Sequence, residues 1–482
     1  MENIKFGTDG WRAVIADEFT FKNLGVVVAA IARYLKKEKK DKAGIAIGYD
    51  NRFLSEDFAW FSAKVLSDNN IKSFISDSSI PTPLTAFLVL DLILNGGIMI
   101  TASHNPSIYN GIKFIPFYGG PAGDNITKQI EENIRENTSS NDLLYNKTKE
   151  NNSSHSSNIK VIKDYTKYKR HLSNILNMDL IRKVRPLVAI DTMFGAGSKI
   201  LPEILNSDLN LEAVVYNDYR DCLFGGSLPD PSEKNLSSFR ETILKNNLDI
   251  GLALDGDADR FGIIDGKGVY ISPNNAISII LNFMIETRSI DTGDIAVRTV
   301  ATTHLIDDIC ASNNIEMLET PVGFKHIAEA MRKGNVIVGG EESGGLSIKG
   351  HIPEKDGILA CLKILEIQSF LNKKTGTFYI SDYLNNIYEK YGYYHNIRLD
   401  IEVSQKRKPQ IIKYFLSMKN KDIENVKVKK IVDIDGAKLI FENKSWLLVR
   451  ASGTEPLIRC YIESRDQAFF EKLKKFARNK IK

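Results

Sequence analysis

Short runs of β-branched and other apolar residues alternate along the chain with polar loops and helical stretches. Residues 44–49 (GIAIGY) read as a strand, 50–55 as a loop and 56–68 as a helix. Residues 71–75 follow as a strand, 83–94 as a Pro-bounded helix, and 97–100 as a strand leading into Thr101. This alternation predicts βαβ units on mainly parallel sheet. The rhythm stops after about residue 137. The stretch 137–158 (NTSSNDLLYNKTKENNSSHSSN) is rich in Asn, Ser and Lys and has no apolar period, so it reads as a long surface loop near a domain boundary. A second cycle has strands at 187–190, 211–216 and 250–254 and a helix at 195–205. A third has strands at 294–300 and 336–338, with helices at 303–312 and 325–333. The last segment differs. Strand-like alternation at 397–403, a helix at 409–419, strands at 437–441 and 446–449 and a closing helix at 467–480 predict an antiparallel α+β unit.

Length agrees with several units. At roughly 150 residues per domain, 482 residues make three or four. Apolar residues at 43% and charged residues at 26% exclude disorder of the whole chain. The net charge of +4, from 64 basic and 60 acidic residues, gives no reason to expect a nucleic-acid partner. Cys222, Cys310, Cys361 and Cys460 form no C-x-x-C pair, which fits a reducing compartment. Residues 1–17 lack a signal-peptide core, and no apolar run reaches the roughly 18–20 residues of a membrane span. The expectation is a cytoplasmic protein with no membrane partner.

Four motifs carry candidate chemistry. Asp255-Gly-Asp257-Ala-Asp259-Arg260 follows the apolar run 250–254, so it sits at the C-terminal end of a buried strand, where α/β sheets place ligands. Three carboxylates at i, i+2 and i+4 can converge on one hard cation, and an all-oxygen set favours Mg²⁺ over Zn²⁺. An EF-hand is excluded, because Arg260 and Gly266 stand at its sixth and twelfth positions. A solvated acidic turn is the plainer alternative. Thr101-Ala-Ser103-His104-Asn-Pro106 offers a hydroxyl at a strand end, a candidate nucleophile or phosphate carrier, or else a hydrogen-bonded turn. Gly339-Gly-Glu341-Glu342-Ser343-Gly-Gly345 lacks the Lys-Ser/Thr pair of a phosphate-binding loop, and its carboxylates and hydroxyl suit sugar hydroxyls better. Arg450-Ala-Ser452-Gly453-Thr454-Glu455-Pro456, with Arg459 behind it, makes an anion nest suited to phosphate. Gly195-Ala-Gly197 resembles a dinucleotide fingerprint but has Ile200 in place of the third glycine, so it reads as strand-to-helix packing. The seven histidines form no ligand cluster.

Together with Phe6-Gly-Thr-Asp9-Gly10-Trp11-Arg12, these motifs stand in the order of the α-D-phosphohexomutases, and the chain resembles that family over nearly its full length. The resemblance implies three similar mixed α/β domains plus a C-terminal α+β domain around a central cleft, divided at 1–158, 159–266, 267–385 and 386–482. It implies a phosphoserine at Ser103, and Mg²⁺ held by Asp255, Asp257, Asp259 and an oxygen of that phosphoserine. Arg12, His104 and Arg260 would lie with the reacting group, and Lys113 would transfer a proton. Glu341, Ser343 and Lys325 would grip the sugar, with His326 a weaker candidate. Arg450, Ser452, Gly453, Thr454 and Arg459 would hold the phosphate that is not reacting. The implied activity interconverts hexose 1-phosphate and hexose 6-phosphate through a 1,6-bisphosphate, which also serves as activator. The last domain would close over the cleft. The Glu-Glu-Ser centre of the sugar loop leans towards glucose over mannose, whereas amino-sugar relatives more often carry Gln at the place of Glu342. The small-molecule partner is a sugar phosphate, and the chain is a monomer or small homo-oligomer. Two other readings are a metal-dependent sugar phosphatase and a silent sugar-phosphate-binding protein.

Overall fold

The computed structural model describes residues 4–7, 9–139, 157–287, 290–376, 378–453 and 455–481. The core of the stretch 137–158, residues 140–156, and the phosphate-loop residue Thr454 lie outside them. Four sheets follow one another along the chain. The first has six strands in the order Trp11–Val14, Tyr109–Pro116, Gly96–Ile100, Ile45–Tyr49, Ser73–Ser76, Ile159–Ile162. The second runs Tyr270–Ile271, Phe261–Asp265, Ile250–Leu254, Val188–Asp191, Val214–Tyr216, and the third Glu316–Thr320, Ile295–Thr299, Val336–Gly340, Leu346–Ile348. The fourth is antiparallel throughout, in the order His395–Glu402, Leu457–Ser464, Trp446–Ala451, Ala437–Phe441, Val426–Val432, Asp422–Ile423.

Each of the first three sheets has a parallel part, as the alternation predicts, and an antiparallel edge that it does not. The antiparallel edges decide where the motifs lie. Gly96–Ile100 and Tyr109–Pro116 are antiparallel neighbours, and the Ser103 segment joins them. Ile250–Leu254 pairs with Phe261–Asp265 around residues 255–260, and Val336–Gly340 pairs with Leu346–Ile348 around residues 341–345. Trp446–Ala451 pairs with Leu457–Ser464 around residues 452–456. All four motifs are therefore hairpin connections, one per sheet, and not strand-to-helix turns. A hairpin connection has no helix above it, so its tip is free to meet the tips of the other sheets.

Two expectations change. The first boundary, at 158/159, falls just before Ile159–Ile162, which pairs in parallel with Ser73–Ser76 and so belongs to the first sheet. The helix expected at 195–205 is α-helical only over Ile200–Glu203 and continues as a π-turn over Ile204–Asp208. Its first residues are drawn into a tight turn beneath the acidic loop, described below.

One apolar core runs through the first three units, from Leu84 and Leu88 through Ile190 and Leu252 to Ile279, Ile337 and Leu362. Helix Gly357–Thr375 lies inside it and is apolar nearly all round, which is why no amphipathic period marks it. The fourth unit has its own core, built on Phe415, Leu439, Leu447 and Leu473. Val300 and Ala301 of the third unit meet it through Trp446, Leu448 and Tyr461. The four cysteines are free thiols. No helix among the described residues is long and apolar enough to cross a membrane.

Candidate active site

Ser103 is held by a buried arginine that nothing in the motif announces. Its backbone is left-handed, φ 51°, a strained conformation for a residue with a Cβ. Arg52, at the end of strand Ile45–Tyr49, is wholly buried. Its Nη2 donates to the carbonyls of Ser103 and Asn105, both at 2.6 Å, and its Nη1 to those of Pro106 and Tyr109, at 2.8 and 3.0 Å. Its Nε faces Asp50 Oδ2 at 3.2 Å. Asp50 also accepts from Thr101 Oγ1 at 2.6 Å and Ser55 Oγ at 2.7 Å, and Thr101 Oγ1 accepts from Ser103 N–H at 2.8 Å. The guanidinium thus fixes four carbonyls of one loop, which its planar fork can do and an ammonium cannot.

The Ser103 hydroxyl crosses to the second sheet and donates to Asp255 Oδ2 at 2.9 Å. His104 Nδ1 lies 3.2 Å from the same Ser103 oxygen, so the histidine next in sequence does face it. Burial, with Arg260 and Arg12 nearby, pushes the His104 pKa well below the ordinary histidine value. Arg12 Nη1 donates to Asn105 Oδ1 at 2.9 Å on the outer side of the loop.

Asp255, Asp257 and Asp259 are buried, each offering an oxygen within 4.8 Å of the others. Asp255 Oδ1 accepts the N–H groups of Asp259 and Arg260, at 3.0 and 3.1 Å, so the loop folds around its own first carboxylate. Burial raises the Asp255 pKa well above the ordinary carboxylate range, and the two neighbouring aspartates add to the rise. Asp257 Oδ1 and Asp259 Oδ1 are buried with no hydrogen-bond partner. Orphaned carboxylate oxygens beside a third carboxylate need a cation, and an all-oxygen set fits a hard divalent ion such as Mg²⁺. The residues present therefore fit that ion. The decoy glycines are part of this fit. A Cβ on Gly195 would meet the carbonyl oxygens of Asp255 and Gly256 at 2.7 and 2.9 Å, and Ala196 N–H donates to Gly256 O at 2.9 Å. The Gly-Ala-Gly turn packs the floor of the acidic loop.

Lysines hold the other carboxylate oxygens. Lys113 Nζ donates to Asp257 Oδ2 and Asp259 Oδ2, both at 2.8 Å, and pairs with Asp9 Oδ2 at 2.9 Å. Lys355 Nζ, absent from the sequence-based set, lies 3.0 Å from both Asp9 Oδ2 and Asp259 Oδ2. Burial would lower the Lys113 pKa, but its three carboxylates reverse the sign and raise it well above the ordinary lysine value. Burial would raise Asp257, but the Lys113 charge and hydrogen bond bring it below the ordinary range. Burial lifts Glu354, beside Lys355, to about 8.

The third-sheet hairpin touches this cluster directly. Arg260 and Gly345 form an antiparallel bridge. Ser343 Oγ donates to the buried Glu341 Oε1 at 2.7 Å, and Glu342 Oε2 accepts from Thr299 Oγ1 at 3.0 Å. A Cβ on Gly345 would meet Lys355 Cδ at 2.7 Å and Glu341 Oε1 at 2.9 Å, so this glycine makes room for both.

The remaining residues stand apart from Ser103. Lys325 pairs with Asp124 of the first unit. Burial and Lys325 lower the pKa of His326. Arg450 Nε donates to Asp435 Oδ2 at 2.7 Å, and Asp435 also accepts Val322 N–H at 3.1 Å, tying this loop to the segment before Lys325. Arg459 pairs with Glu455 at 2.5 Å. Ser452 Oγ accepts Glu455 N–H at 3.2 Å, and the buried Lys408 donates to the carbonyls of Ser452 and Glu455 at 2.8 and 2.6 Å. Gly453 leaves open space at the tip. Asp50, Arg52, Lys355 and Lys408 were missed by the sequence reading. Asp50 and Arg52, just past an apolar strand, carried a positional signal.

A buried hydroxyl beside three converging carboxylates, with arginines near it, is an arrangement suited to metal-assisted phosphoryl transfer. Four family models of the phosphoglucomutase/phosphomannomutase type match the chain. They are α/β/α domain I over residues 3–141, domain II over 166–268, domain III over 272–391 and the C-terminal domain over 403–480. A phosphoglucomutase/phosphomannomutase of Thermococcus kodakarensis is 31% identical over 469 residues, 96% of this chain and 95% of that one. A phosphoglucosamine mutase of Methanococcus maripaludis is 31% identical over 477 residues, 98% of this chain and 96% of that one. A solved structure from Thermus thermophilus, assigned as a phosphomannomutase, superposes with a TM-score of 0.82 at 28% identity, covering 99% of this chain and 98% of that one. The chain belongs to the α-D-phosphohexomutase family and is an enzyme of its mutase class.

Proposed function

We propose that this enzyme interconverts hexose 1-phosphates and hexose 6-phosphates through a phosphoserine at Ser103, with glucose phosphate as the leading substrate. The observation that carries the reading is the Ser103 hydroxyl, 2.9 Å from an aspartate trio with two orphaned buried oxygens. In the first step the free sugar hydroxyl of a hexose 1-phosphate attacks the phosphorus on Ser103. The new P–O bond forms as the bond to Ser103 Oγ breaks, and the proton given up by the sugar hydroxyl is matched by one delivered to the departing Ser103 Oγ, which leaves as a neutral serine hydroxyl. The 1,6-bisphosphate then turns over and returns its other phosphoryl group to Ser103. Released bisphosphate would re-phosphorylate an enzyme that had lost the group, which is its activator role.

Mg²⁺, held by Asp255, Asp257 and Asp259 with an oxygen of phospho-Ser103, would supply neutralisation of the charge on the transferring group. Arg12 and Arg260 flank that group. Lys113 and Lys355 offset the carboxylates around it. With three carboxylates on its ammonium, Lys113 serves as a counter-charge in preference to a base. His104 Nδ1, 3.2 Å from Ser103 Oγ, is within reach of the proton exchanged there. Glu341 and Ser343 grip sugar hydroxyls, and Lys325, Arg450, Ser452, Gly453, Thr454 and Arg459 receive the resting phosphate.

A second substrate has its own support. The Methanococcus relative, 31% identical over 98% of this chain, is a phosphoglucosamine mutase. The test offers glucose, mannose and glucosamine 1-phosphates with Mg²⁺ and a trace of the matching bisphosphate. Isomerisation of glucose 1-phosphate ahead of the others supports the leading reading, and preference for glucosamine 1-phosphate replaces it with the second. Isomerisation of none, or full turnover by Ser103→Ala, rejects the mechanism.

A further inference from the structure

A chain of four side chains, buried except at the partly exposed His171, stands outside the reacting cluster and ends one residue from it. His171 Nε2 and His351 Nδ1 are 3.1 Å apart, and His351 Nε2 lies 2.9 Å from Asp356 Oδ2. Tyr168 donates its hydroxyl to the same Oδ2 at 2.7 Å. Asp356 Oδ1 accepts Leu359 N–H at 2.9 Å and caps helix Gly357–Thr375. The side chains of His351 and Asp356 and the whole of Tyr168 are without solvent exposure. A carboxylate has no proton to give, so His351 carries a proton on Nε2 and donates it to Asp356. Asp356 has both oxygens engaged.

The backbone on either side of Asp356 is pinned as well. Asp356 N–H donates to Leu346 O at 3.0 Å, in the third sheet. Gly357 N–H donates to Ala258 O at 3.1 Å, and a Cβ there would meet Arg260 O at 2.5 Å. Lys355 precedes these residues. Its ammonium reaches Asp9 of the first unit and Asp259 of the second from a loop of the third, so the placement of that loop sets where the ammonium lies. Tyr168 and His171 come from helix Thr166–Ile175, which links the first two units, and both rings pack on Phe87. The chain therefore ties the loop of the third unit to the frame that carries its targets.

We infer that the chain His171–His351–Asp356–Tyr168 positions Lys355 on the reacting cluster. The inference rests on the mutase reading above. These four are positioning residues, since none touches the reacting atoms, and their loss acts on turnover more than on substrate affinity.

His351→Leu removes the donor to Asp356 Oδ2 and keeps the bulk. The expected result is a kcat about 30-fold lower with KM within about twofold, the signature of a misplaced group near the reacting centre. His351→Gln can still donate from the place of Nε2 and restores kcat to within about threefold. Tyr168→Phe removes the other donor to Oδ2 and lowers kcat about threefold; it decides the matter if His351→Leu does not fold. Unchanged kcat in a folded His351→Leu, a loss that Gln does not restore, or a change confined to KM overturns the inference. An inactive wild-type enzyme in the same assay overturns the mutase reading instead.

Discussion

Arg52→Met isolates the residue on which the Ser103 loop depends. The substitution removes a wholly buried guanidinium and its bonds to the carbonyls of Ser103, Asn105, Pro106 and Tyr109. It also leaves Asp50 buried without its cation. Breaking a buried pair on one side costs about 3–5 kcal/mol. Asp50 keeps the hydroxyls of Thr101 and Ser55, so the lower end, about 3 kcal/mol, is expected. The left-handed Ser103 adds about 1 kcal/mol of strain that the loop must carry alone. Turnover is expected to fall about 100-fold, because a displacement of about 1 Å at a reacting atom is enough for that. Guanidinium unfolding is followed by fluorescence in a Trp446→Phe background, so that Trp11 and Trp60 of the first unit report. Adding Asp50→Asn to Arg52→Met recovers part of the lost stability, since no charge is then left alone, but not the turnover. A single Arg52→Met variant within about 1 kcal/mol of the parent and with its turnover intact would refute the reasoning.

Three further outcomes follow from the same geometry. Gly195→Ala places a Cβ against the carbonyls of Asp255 and Gly256, so the Mg²⁺ needed for half-maximal turnover rises about tenfold or more while the fold survives; unchanged Mg²⁺ dependence would show that the turn does not shape the site. Thorough chelation stops turnover and added Mg²⁺ restores it, whereas Asp257→Asn is restored only at higher Mg²⁺ or not at all. Lys438, buried against Glu319 and His304 between the third and fourth units, has its pKa lowered by burial from 10.5 to about 8. Between those values the folded state binds fewer protons than the unfolded one, so this group makes stability rise with pH from about 8 towards 10, by at most about 3 kcal/mol. Lys438→Met flattens that rise, as read from Trp446 fluorescence during unfolding at the two pH values; an unchanged slope would contradict the assignment.

Much of the first and third units was legible because strand and helix periods repeat there. Ile45–Tyr49 and Val336–Gly340 lie on the apolar runs that predict them. Helix Gly357–Thr375 was not legible, because a helix buried on all sides shows no polar face. The antiparallel edges were hidden for a related reason. A short buried strand has the same apolar composition whichever way its neighbour runs. The candidate residues Ser103, Asp255, Asp257, Asp259, Glu341 and Ser343 were visible because glycines and small residues expose them in a row. Lys355 was not, because its significance comes from carboxylates far away in sequence, Asp9 and Asp259.

The sequence by itself determined the chemical groups of this enzyme, their order, and the local turns that carry them. A carboxylate trio at alternate positions, or a hydroxyl followed by His-Asn-Pro, is a property of a few adjacent residues. Tertiary structure decided which of those groups share a charge environment. It set Ser103 on Asp255, placed His104 beside that hydroxyl, and ringed Lys113 with carboxylates from two units. Electrostatic interactions depend on distance in space and on burial, and neither can be read from spacing along a chain.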